Sequence, residues 1–232
     1  MVYMIYLLLA LIPFFADTLI GYITPNKKFN PNSVRYIIAL SSGLVISAAF
    51  FELLPKSNIE FNGIFLALGF FFFYIIEKIS LLHACGEEEC EVHSLGRITA
   101  LGMASDNIVD GLGIATAFLI DPTLGLIITA AVVSHEIPQT ISSSLILQRD
   151  GRSKREIFGF STLAGFMYPL GALLSLLIPE NIHSSILAFV AGVFLYVGAG
   201  DLLMEAHRRF NWKVILSVIL GAIIIFALEF IE

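Results

Sequence analysis

Eight apolar runs, unalternated and each near the roughly 20 residues that cross a bilayer's hydrocarbon core, divide this chain almost end to end. They cover about 3–23, 34–54, 61–82, 98–120, 123–147, 157–178, 185–206 and 213–231. In lipid every backbone N–H and C=O must be bonded internally, which only helices and closed barrels achieve. Barrel strands alternate apolar and polar residues, and these runs do not. The expectation is an all-α membrane protein with eight transmembrane helices. Composition agrees, since 57% of the residues are hydrophobic and only 14% charged, against about a quarter charged in soluble domains. The breaks fall at turn chemistry such as Asn30-Pro31-Asn32, Asp121-Pro122 and Pro179-Glu180-Asn181. No soluble domain is left between spans, so residues 1–232 read as one transmembrane unit, with 83–97 the longest polar connection. No basic stretch precedes the first run, which is expected as a retained span of a multi-pass cell-membrane protein. Its surroundings are then the lipid bilayer, with no nucleic-acid partner.

Lys and Arg set the orientation. Of 13 such residues, only Lys56 falls on an even-numbered connection. The positive-inside rule places the odd-numbered connections in the cytoplasm and both termini outside it. A repeat is also visible: Ser42-Gly43 leads to Glu52-Leu53-Leu54 on span two, and Ala191-Gly192 leads to Asp201-Leu202-Leu203 on span seven. With the two spans running in opposite directions, this fits an inverted repeat of three spans on each side of a central pair, a 3+2+3 plan common among transporters.

Charged groups are costly inside a bilayer, which makes their positions informative. Asp17, Glu77 and Glu229 lie near span ends and are expected at the membrane interface without a role. Spans four and five differ. Span four holds Asp106-Asn107-Ile108-Val109-Asp110-Gly111, and span five holds His135-Glu136-Ile137-Pro138-Gln139. Both place polar groups at i, i+1 and i+4, which converge on one side of a helix. Asp106 and His135 each lie roughly 21–22 Å along their helices from the Asp121-Pro122 turn, at about 1.5 Å per residue. The triplets are therefore expected to meet within the membrane. Neither span carries a Lys or Arg to balance them, so a cation is the natural partner. Carboxylates, one imidazole and amide oxygens suit first-row divalent ions such as Zn²⁺, Fe²⁺ or Mn²⁺. A purely structural alternative is protonated acids hydrogen-bonded across the helix interface. Pro138 cannot donate to the Ser134 carbonyl, which is freed to face an ion or water, and Gly102, Gly111 and Gly113 are expected to let helices approach closely.

At these residues the sequence resembles the ZIP family of divalent metal transporters, in its GufA/ZupT-like bacterial or archaeal branch. Asp106-Asn107-x-x-Asp110-Gly111 is similar to that family's fourth-span motif and His135-Glu136-x-Pro138 to its fifth. Phe51-Glu52-Leu53-Leu54-Pro55, Tyr168-Pro169-Leu170-Gly171-Ala172 and Asp201-Leu202-Leu203-Met204-Glu205 resemble the endings or motifs of its second, sixth and seventh spans. The resemblance implies Asp106, Asn107, Asp110, His135, Glu136 and Gln139 as metal ligands. It further implies transport into the cytoplasm by alternating access, with spans one, four, five and six moving against two, three, seven and eight. Glu52 would then lie on the entry side, and Asp201 and Glu205 on the exit side. Three positions depart from the family pattern: Asp106 stands for His, Gln139 for His or Glu, and Tyr168 for a carboxylate. The loss of charge implies one principal ion per cycle and an altered metal preference. The ion, Zn²⁺ first among candidates, is substrate; no prosthetic group and no enzymatic activity are expected, and a homodimer is among the open assemblies.

The third connection offers His83, Cys85, Cys90 and His93 among four acids, and reads as a flexible cytoplasmic metal binder or a merely solvated acidic loop. Two other functions stay open on the residues alone. One is an intramembrane zinc hydrolase, in which His and carboxylates activate water; the other is a membrane sensor that binds metal without carrying it.

Overall fold

The computed structural model describes residues 2–84, 95–208 and 210–229, with side chains given for 5–78, 102–208 and 210–228. Helical runs follow one another as α1 (Val2–Ile23), α2 (Pro31–Lys56), α3 (Ile59–Ala84), α4 (Leu95–Ile120), α5 (Pro122–Arg149), α6 (Lys154–Leu177), α7 (Glu180–Ala206) and α8 (Trp212–Glu229). There is no strand among the described residues. Seven runs are long and apolar enough to cross a membrane; α8 is apolar over the shorter stretch Trp212–Leu228.

Local chemistry starts the helices where the turns predict. Asn30 and Asp121 each precede a proline at the first helical position, and each side chain accepts a backbone N–H two residues on, at 2.9 Å from Asn32 and 2.8 Å from Thr123. Ser153 and Glu156 close a reciprocal capping box at the start of α6. Pro169 has no N–H for the Gly165 carbonyl, and α6 breaks at Phe166. Two further irregularities were not legible in the sequence. α2 passes through a π-helical turn at Ala48–Leu53, and α7 through another at Tyr196–Leu202. These turns carry Glu52 and Asp201, the two acids matched by the internal repeat.

Packing divides the helices into two groups. The most extensive contacts pair α2 with α8 and α3 with α7 in one group, and join α1, α4, α5 and α6 in the other. Glycines set the closest approaches within both. A Cβ on Gly43 would strike the Val218 carbonyl and one on Gly221 the Leu40 carbonyl, joining α2 to α8. Gly69 and Gly192 press in the same way on Phe189 and Leu66, joining α3 to α7, and Gly111 and Gly171 on Tyr168 and Ile108, joining α4 to α6. Gly113 meets only Val190 side-chain atoms across the boundary between groups. Gly102, expected at a close contact, has nothing within 4 Å of its would-be Cβ.

The connections sort by end as the charge bias requires. Lys154 Nζ donates to Asn26 Oδ1 at 2.7 Å and Arg35 Nε to the Ala206 carbonyl at 2.6 Å, tying together the odd-numbered connections. At the opposite end Lys56 lies 3.5 Å from Asp121, and Asn62 bonds Ser184 and Ser185.

Candidate metal centre

From the Asp121–Pro122 turn α4 and α5 run back along each other, and their polar triplets meet rung by rung. Gln139 Nε2 donates to Asp106 Oδ2 at 2.9 Å, and His135 Nε2 lies 3.1 Å from Asp110 Oδ2 and 3.4 Å from Glu136 Oε1. One ligand atom from each of Asp106, Asp110, His135 and Glu136 falls within 4.8 Å of all the others, and all four residues are buried. Phe194 of α7 covers His135, ring edge to ring face, with centroids 5.9 Å apart.

The imidazole is oriented by its own helix. Nδ1 lies 3.1 Å from the Ala131 carbonyl, which can only accept, so Nδ1 carries a proton and Nε2 is the ring atom directed at the two carboxylates, free to ligate a cation that displaces any proton there. Around it, Asp106 Oδ1, both Asp110 oxygens, both Glu136 oxygens, Asn107 Oδ1 and Gln139 Oε1 are buried without a hydrogen-bond donor from the protein. Burying an unbalanced carboxylate costs on the order of several kcal/mol. No Lys or Arg lies in 98–148 to offset it. So dense a set of lone pairs fits a divalent cation.

Asp17 is a correction. It is not interfacial but 1% exposed, and it sits against this cluster. Its Oδ2 accepts from Asn107 Nδ2 at 3.1 Å and its Oδ1 from Thr140 Oγ1 at 2.7 Å, with Glu136 beside it. Gly165, at the break in α6, lets α1 close on this point, since its would-be Cβ falls 3.2 Å from Asp17 Cβ. Tyr168, fully buried, brings its hydroxyl next to Glu136. The signal for Asp17 was its standing as the sole charged residue of Val2–Ile23. Thr140 gave none.

Ser41 of α2 donates its hydroxyl to the freed Ser134 carbonyl, linking the two helix groups beside the site. Glu52, read as an entry residue, is 2% exposed with Lys56 Nζ at 3.7 Å. Asp201 is exposed and Glu205 partly so; both lie toward the far end of α7, outside the buried cluster. Cys85, Cys90 and His93 lie outside the described residues, as does the side chain of His83.

A family model described as ZIP zinc transporter matches residues 82–229, well over half of the chain. The zinc transporter ZupT of Chlorobium limicola is 24% identical over 227 residues, covering 84% of each chain. The zinc transporter ZIP13 of Pongo abelii is 28% identical over 148 residues, covering 62% of this chain and 44% of its own length. The metal cation symporter ZIP8 of Rattus norvegicus is 26% identical over 130 residues, covering 56% of this chain and 28% of its own. The chain thus spans less than half the length of these animal relatives.

Proposed function

The chain belongs to the ZIP zinc transporter family, and on that premise we propose that it carries divalent transition-metal ions, Zn²⁺ first among them, across the membrane through the buried site between α4 and α5. One observation carries this reading: four buried ligand residues whose donor atoms lie within 4.8 Å, with Nε2 directed at carboxylates that no Lys or Arg of 98–148 neutralises. Asp106, Asp110, His135 and Glu136 form the ligand set, and Asn107 and Gln139 add amide oxygens. The ion is substrate, held weakly enough to leave.

The route we infer is alternating access. The group α1, α4, α5 and α6 contains every proposed ligand, and it meets α2, α3, α7 and α8 without the backbone-to-backbone glycine contacts found inside each group. Motion of one group against the other then exposes the site first to one side and then to the other. We take α8 as the eighth span, the odd-numbered connections as cytoplasmic and the direction as inward, in keeping with the charge bias and the family resemblance.

Purified protein in proteoliposomes should take up Zn²⁺, with Fe²⁺ and Mn²⁺ competing, and His135→Ala should abolish uptake. A protein that binds these ions yet moves none of them would replace this reading with that of a metal sensor.

A further inference from the structure

Asp17 joins three helices at one buried point. On α1, its carboxylate takes an amide N–H from Asn107 of α4 and a hydroxyl from Thr140 of α5, and all three side chains are at most 1% exposed. Neither central motif includes it. The chemistry at Asn107 shows what it does. An amide offers a cation its oxygen or, if flipped, its N–H groups, and only the first attracts. With Nδ2 held by Asp17 Oδ2, the flip is blocked, and Oδ1 is left as the buried atom without a donor. A carboxylate suits this task because it only accepts. The second bond, from Thr140, fixes the carboxylate's own rotation, since Thr140 lies one helical turn beyond Glu136.

We propose that Asp17 is a positioning residue of the metal site, acting through Asn107 by locking the amide with its oxygen available to the ion. The proposal rests on the metal-transport reading above. Asp17 contributes orientation and not coordination, because its oxygens are engaged by Asn107 and Thr140 and it lies outside the set of ligand atoms within 4.8 Å of one another.

A double-mutant cycle on the full chain in detergent, titrated with Zn²⁺ against a chelator, tests this. Asp17→Ala and Asn107→Ala should each weaken Zn²⁺ binding roughly 10- to 100-fold, the usual cost of losing a group that orients a ligand. The double variant should bind no more weakly than Asn107→Ala alone, since one acts through the other. Asp17→Asn should restore most of the affinity. Its oxygen still accepts from Asn107, and its N–H can turn to the Thr140 oxygen, whose proton then goes to its own helix's carbonyl. This variant also removes a buried charge and so preserves the fold if Asp17→Ala does not. Additive losses in the cycle, or an Asp17→Asn as weak as Asp17→Ala, would make Asp17 a ligand or counter-charge and overturn the proposal. Wild-type affinity in Asp17→Ala would overturn it as well. If His135→Ala binds Zn²⁺ as tightly as wild type, the metal site itself is misplaced, which is a separate failure.

Discussion

The bond from His135 Nδ1 to the Ala131 carbonyl decides what the other ring nitrogen does. With Nδ1 protonated, Nε2 faces two carboxylates, and it must either carry a second proton or give its lone pair to a cation. On the proposed metal reading, the neighbours tune which cation. Asp106 offers hard oxygen where an imidazole would favour Zn²⁺, and Gln139 ties up one of those oxygens at 2.9 Å. Asp106→His should move preference toward Zn²⁺ over Mn²⁺, and Gln139→Glu, by freeing that oxygen and adding another, toward Mn²⁺. Each shift should be about tenfold, or about 1.4 kcal/mol, in metal-competition uptake by proteoliposomes. Unchanged competition in both variants would remove these positions from the ligand set. The i, i+1, i+4 triplets were legible because a helix turns local spacing into a shared face. Asp17 was not, because the contacts that give it meaning come from residues 90 and 123 positions away.

Glycine makes the helices of each group nearly touch. At Gly111 the backbone of α4 lies against the Tyr168 carbonyl, and Gly171 returns the contact on Ile108, so α6 stands directly behind the ligand-bearing turn. A methyl group there must push the helices apart. Gly111→Ala should destabilise by about 1–3 kcal/mol, the cost of overpacking a filled interface, and should loosen the site with it. Gly102→Ala, in the same helix but with open space around it, should be neutral or slightly stabilising. Thermal unfolding of both variants in detergent compares them directly; equal midpoints would mean that the α4–α6 contact yields without cost. The helices themselves were readable, since prolines and caps punctuate the runs. The π-helical turns at Ala48–Leu53 and Tyr196–Leu202 were not, because no residue type demands the wider turn. They fall at matching places in α2 and α7, and the glycine contacts match too: α2 rests on α8 as α7 rests on α3. An inverted repeat exchanges these pairs, which gives the short sequence echo a structural basis.

Between the two helix groups α2 packs on α5 and α4 on α7, through contacts different in kind from the glycine-to-backbone approaches inside each group. Beside the site they are a hydroxyl from Ser41 to the Ser134 carbonyl, the Phe194 ring on His135 and the Val190 side chain over Gly113. At the end read as external, Lys56 of α2 reaches Asp121 at the α4–α5 turn, 3.5 Å away, while also holding Glu52 of its own helix at 3.7 Å. On the alternating-access route proposed above, opening of the site toward that end would separate Lys56 from Asp121, and the pair is expected to act as a latch that favours the closed arrangement. Its partial exposure limits it to about 0.2–1 kcal/mol, a change of at most about fivefold in the open-to-closed ratio. Burial nudges the Asp121 carboxyl upward, but the Thr123 backbone N–H and the Lys56 ammonium outweigh it and hold the group below its ordinary range. The latch is therefore complete at neutral and mildly acidic pH and fails only as pH falls through that lowered value, while high salt weakens it at any pH. Asp121→Asn isolates the effect, because asparagine caps α5 as well as aspartate does but carries no charge. In that variant, amide hydrogen exchange at the outer ends of α2 and α5 should quicken at low salt and converge on wild type at high salt. Identical exchange at low salt would show the ion pair to be idle and leave the closed arrangement to Ser41 and Phe194.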